Sequence, residues 1–74
     1  MKLEKLLLNE LDFTKMDENI YVYEEEDWTM EIACVGRKYY VRREANYRGL
    51  IKTRRLILNN MNEMYEVLHE EFGV

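Results

Sequence analysis

Residues 37–55 read RKYYVRREANYRGLIKTRR, and the way this stretch divides decides the fold. It holds eight of the chain's eleven basic residues and one acid, Glu44. Its first part reads as an outgoing strand, and EANYRG (44–49) as a loop punctuated by Gly49. From about Thr53 the period changes. Ile57, Met61, Met64, Tyr65, Leu68 and Phe72 recur at helical spacing, and Gly73 follows as a stop. Two divisions are open. With Thr53 as N-cap, a long helix runs to residue 72. Otherwise residues 50–58, LIKTRRLIL, form a fourth strand and the helix begins at Asn60, with Glu63 completing a capping-box-like pattern. The long helix is preferred here, at a cost. Arg54 and Arg55 then sit at its positive end and Glu70 and Glu71 at its negative end, each unfavourable by about 0.3–1 kcal/mol when exposed. Such charges pair with other elements, serve a partner, or mark a later helix start.

Working outward, WTMEIACV (28–35) is the clearest strand. Trp28, Met30, Ile32 and Cys34 point one way, and Thr29, Glu31, Ala33 and Val35 the other. Gly36-Arg37 suits a two-residue hairpin loop with glycine at the first central position. That register sets Ile32 against Val41, Cys34 against Tyr39, Ala33 against Tyr40 and Glu31 against Arg42. Apolar side chains meet on one face, and an opposite-charge pair forms on the other. IYVYE (20–24) is a further strand of β-branched and aromatic residues. If the acidic turn after it spans three residues, Ile20 and Val22 point inward; if four, Tyr21 and Tyr23 do. Residues 2–11 read as a short helix with Leu3, Leu6, Leu7 and Leu11 on one face. Residues 14–19 read as a loop. The expected fold class is α+β, in the order α-β-β-β-α. It is a three-stranded antiparallel meander with two helices packed on one face, forming a single small domain over residues 1–74.

The chain has 74 residues, 47% of them hydrophobic, enough for one core but no more. Its net charge of −4 hides three blocks. Residues 1–36 carry three Lys against ten acids, residues 37–55 eight bases against one acid, and residues 56–74 four Glu. Cys34 is the only cysteine, so an internal disulfide scaffold is excluded and a reducing, cytoplasmic setting is expected. No segment approaches the ~20 apolar residues that would span a bilayer.

Catalytic chemistry is not expected. Serine is absent, and Thr14, Thr29 and Thr53 have no histidine near them in sequence. His69, the only histidine, reads as a solvated surface residue. Cys34 reads as a small buried hydrophobe on the core-facing side of its strand. The carboxylates Glu24, Glu25, Glu26 and Asp27 lack the ligand spacing and glycine of a calcium loop. No glycine loop suited to phosphate is present. No cofactor and no metal site are expected.

Binding surfaces are expected instead. An open sheet face would carry Glu31, Ala33, Val35, Lys38, Tyr40 and Arg42. The acidic turn Glu24, Glu25, Glu26 and Asp27 would offer carboxylates to a basic protein. The lead expectation is a small non-catalytic protein-binding regulator or inhibitor acting through charged loops and the open face. In size and composition the chain is similar to small acidic phage proteins that inhibit nucleic-acid-handling enzymes. Alternatively, Arg37, Lys38, Arg42, Arg43, Arg48, Lys52, Arg54 and Arg55 meet nucleic-acid phosphates, with Tyr39, Tyr40 or Tyr47 stacking on bases. LLNEL (7–11) and KTRR (52–55), in the order helix, three strands, helix, resemble a double-stranded-RNA-binding domain, which would imply cations at the entry of the last helix. The Gly-Pro-His-type loop and alanine-rich last helix of that family are not present. A third alternative is a homo-oligomeric structural or assembly protein, with acidic and basic edges pairing between copies. Arg48, Lys52, Arg54 and Arg55 have no local acid and are the sharpest candidates for an external contact.

Overall fold

The computed structural model describes residues 2–74. An α-helical turn, α1 (Lys2–Lys5), continues directly into a π-helical stretch, Leu6–Glu10. Five strands follow: β1 (Thr14–Asp17), β2 (Ile20–Glu24), β3 (Trp28–Val35), β4 (Lys38–Tyr47) and β5 (Leu50–Leu58). A helix, α2 (Met61–Phe72), closes the described chain. The strands form one antiparallel sheet in the order β1-β2-β3-β4-β5. The three-stranded expectation is therefore corrected to five strands, with short β1 added and residues 50–58 a strand rather than the entry to a helix.

The physical reasons are local. Arg48 and Gly49 both adopt positive φ, +53° and +84°, between the paired residues Tyr47 and Leu50. Two consecutive left-handed residues make a type I′ turn, whose twist matches that of the strands it joins. Residues 44–47 are thus the end of β4, not a loop. The cap of α2 is Asn60, whose Oδ1 accepts from the Glu63 N–H at 2.9 Å, while Glu63 Oε2 accepts from the Asn59 N–H at 2.7 Å. These two bonds satisfy donors that a helix start leaves open, and they place the start at Met61. Gly73, at φ +70°, donates its N–H to the His69 carbonyl and ends the helix.

The β3–β4 hairpin has the expected register. Ile32 opposes Val41, Cys34 opposes Tyr39, Ala33 opposes Tyr40 and Glu31 opposes Arg42. In β2 it is Tyr21 and Tyr23 that point to the core side, since Tyr21 pairs with Ile32 and Tyr23 with Met30. Both helical segments cover that same side. Leu3, Leu7, Leu11, Phe13, Tyr21, Met30, Ile32, Val41, Met64 and Leu68 are buried together there. A helix of 12 residues is marginal alone, so α2 depends on this packing. An aromatic group fastens its last turn: Phe72 lies 5.0 Å from Tyr23, 5.7 Å from Phe13 and 5.8 Å from Trp28 between ring centroids. Edge and tilted contacts of this kind add about 0.5–1.5 kcal/mol each beyond burial.

Candidate functional site

Strand alternation leaves one sheet face without a helix over it. All five strands cross this open face; β1 sets Asp17 beside Ile20 and Thr14 beside Val22, and the registers of β2 to β5 line up side chains in rows. Ile20, Ala33, Tyr40 and Ile57 form one row, and Val22, Glu31, Arg42 and Arg55 the next. The first row is apolar apart from one phenol. Tyr40 is 41% exposed and Ile57 60%, and Val35 beside them is 59% exposed. A depression of about 260 Å³ lies among Glu31, Ala33, Tyr40, Arg42, Arg55 and Ile57.

The expected site residues divide between faces and ends. Lys38, Tyr40, Arg42 and Arg55 share the open face. Arg43, Lys52 and Arg54 lie on the opposite side of the same two strands. Arg37 occupies the β3–β4 turn and Arg48 the β4–β5 turn, at opposite ends of the sheet. Arg54 and Arg55 lie on a strand, so they cap no helix. The acidic turn Glu24, Glu25, Glu26 and Asp27 lies at the Arg48 end. The Asn46 N–H donates to the Asp27 carbonyl at 2.7 Å, and Glu25, Glu26 and Asp27 line a shallow cavity with Glu44, Asn46 and Ile51. The acidic turn and the Arg48-Gly49 turn therefore lie at the same end of the sheet.

Electrostatics separates the arginines further. In β4 and β5, Arg42 directly opposes Arg55 and Arg43 directly opposes Arg54. Like charges so placed destabilise a sheet. Each pair has one compensated member. Arg42 lies 3.4 Å from Glu31 and 4.0 Å from Glu44. Arg43 lies 3.1 Å from Glu71 and stacks 4.7 Å from the Trp28 ring centroid. Arg54 and Arg55 have no ion pair among the described residues, and both are exposed.

The sequence places Ala33, Val35 and Tyr40 on this surface but not the apolar residues that β5 adds to it. Ile57 was assigned to the helical stripe, yet it belongs to the open face. Tyr47, Leu50 and Ile51, at the tip of the β4–β5 hairpin, are 64%, 68% and 71% exposed. The hidden signal was the Arg48-Gly49 turn, whose arginine disguises a site that usually takes asparagine.

Cys34 is half-buried, and burial pushes its thiol pKa up, away from the reactive thiolate. His69 is exposed, with Nδ1 2.6 Å from the Val74 O. Among the described residues no three His, Cys, Asp or Glu side chains gather as metal ligands, and no helix is long and apolar enough to cross a membrane. Comparison with family models, curated proteins and solved structures returned no match.

Proposed function

We propose that this protein is a small non-catalytic protein-binding regulator or inhibitor and that the open sheet face is its docking surface. The observation that carries this reading is the apolar row Ile20, Ala33, Tyr40 and Ile57 on a face no helix covers. A row of this kind, rimmed by Glu31, Arg42 and Arg55, has the layout of a protein interface, with an apolar centre and a charged border. The double-stranded-RNA-binding likeness loses its basis, since the sheet has five strands and residues 52–55 lie on β5. The small-inhibitor likeness rests on size and composition.

The test is site-specific photo-crosslinking in the cells that naturally express the protein. A crosslinker at Tyr40 or Ile57 should give a discrete protein adduct, identified by mass spectrometry, which a crosslinker at exposed Glu66 on α2 does not give. Tyr40→Glu should abolish the Ile57 adduct while circular dichroism stays unchanged. Adducts to nucleic acid, or equal labelling from position 66, would overturn the reading.

A further inference from the structure

We infer that the free edge of β5 receives an extended acidic polypeptide segment, which adds to the sheet as a sixth strand. This rests on the protein-binding reading above and specifies the partner's chemistry and mode of entry.

The two edges of the sheet differ. β1 is four residues long, and its pairing with β2 is broken by an irregularity between Lys15 and Asp17. Short, bulged edges resist further pairing. β5 is nine residues long and pairs with β4 without a break from Leu50 to Leu58. No strand lies beyond it among the described residues. The two-residue turn makes Tyr47 and Leu50 the closing hydrogen-bonded pair, and antiparallel ladders alternate from there. Leu50, Lys52, Arg54, Leu56 and Leu58 therefore spend their N–H and C=O groups on β4. Ile51, Thr53, Arg55 and Ile57 turn theirs to the free edge. That edge is a row of alternating donors and acceptors at the spacing of a strand.

Charge selects the occupant. Lys52 and Arg54 project on one side of this edge and Arg55 on the other, all exposed and without an ion pair among the described residues. Exposed Leu50, Ile51 and Ile57 flank them. A second copy's β5, laid antiparallel about a two-fold axis, would set this cationic middle against itself. A second copy's β1 is too short and irregular to follow nine residues. Nucleic-acid phosphates would answer the cations but bring no donors for the edge carbonyls. A peptide strand with carboxylates at its centre and apolar residues at its ends satisfies charge, backbone and flanks together.

The probe is a capped nonapeptide with three central glutamates and valine and threonine flanks, added to isotope-labelled protein. Binding should slow hydrogen exchange at the Ile51, Thr53, Arg55 and Ile57 amides, whereas Lys52 and Arg54 are protected beforehand. N-methylating the peptide on its docking edge should weaken binding by about tenfold or more, the worth of one or two hydrogen bonds, while methylation on its outer edge should not. Thr53→Pro, tolerated where an edge N–H faces solvent, should weaken binding similarly without unfolding the protein. Equal binding of both methylated peptides, or exchange unaltered on β5, would overturn strand addition and leave the protein-binding reading standing. So would failure of the unmethylated peptide to bind. Displacement of the peptide by a single-stranded oligothymidylate at low salt would overturn both.

Discussion

Arg43 of β4 reaches across the helix-covered face to Glu71 in the last turn of α2, with Nε and Oε2 3.1 Å apart. This contact accounts for an acid at the negative end of a helix. The macrodipole disfavours Glu71 there by a few tenths of a kcal/mol, and a partly buried pair with a stacked guanidinium outweighs that. Glu70, its neighbour, is exposed and has no ion pair among the described residues. The two glutamates should respond with opposite signs. Glu71→Gln should lower stability by about 0.5 kcal/mol, and Glu70→Gln should raise it by about 0.3 kcal/mol. Urea midpoints of the two variants measure the difference.

Arg48 holds φ +53° in the β4–β5 turn, a conformation that asparagine or glycine adopts at lower cost. Its guanidinium lies 5.8 Å from the Tyr47 ring centroid, an exposed contact of small worth. Arg48→Asn should therefore stabilise the fold, by about 0.5–1 kcal/mol, with no change in cooperativity. Gly49→Ala, at φ +84°, should destabilise it by about 1 kcal/mol or more. Thermal unfolding of both variants distinguishes turn strain from a role of Arg48 in packing.

The β3–β4 register was legible because Trp28, Met30, Ile32 and Cys34 alternate cleanly with polar or small neighbours, and Gly36-Arg37 announces a turn. The division of residues 50–58 was not. In β5, Lys52 and Arg54 share the covered side with Leu56 and Leu58, while Ile51 and Ile57 share the open side with Arg55. Neither side is uniformly apolar, so period two is blurred. Ile57 also falls in phase with Met61, Met64 and Leu68 and extended the helical stripe by coincidence. β1 left no pattern because its four residues are all exposed. Of the site, the Tyr40 and Arg42 part was legible from the hairpin register. The Ile57 and β5-edge part waited on the turn at Arg48-Gly49.

Three tyrosines should betray the packing in alkali. Burial raises the pKa of Tyr21 and Tyr39 above 10.0, and the hydrogen bond from Tyr23 to Glu25 raises that of Tyr23. The unfolded chain then loses these protons at lower pH than the folded one. Stability should fall as pH rises past about 10, the unfolded tyrosine value. Absorbance titration of native protein should therefore complete at higher pH than titration in denaturant. Coincident curves would contradict the packing of these rings.

Arg54 and Arg55 oppose Arg43 and Arg42 across the last strand pair, and only the β4 members are compensated. The sheet would be more stable without the β5 charges. Threonine suits an exposed strand position and removes the like-charge opposition, so Arg54→Thr with Arg55→Thr should stabilise the fold by about 0.5–1 kcal/mol. The same variant should lose the central attraction for the acidic peptide, weakening binding by about tenfold and flattening its salt dependence. Arg55→Glu should go further, pairing with Arg42 across the strands while repelling the peptide. A rise in urea midpoint together with lost peptide binding would mark these arginines as held for a partner at the expense of the fold. A fall in midpoint would mean that they stabilise the sheet, and their place in the docking edge would have to be given up.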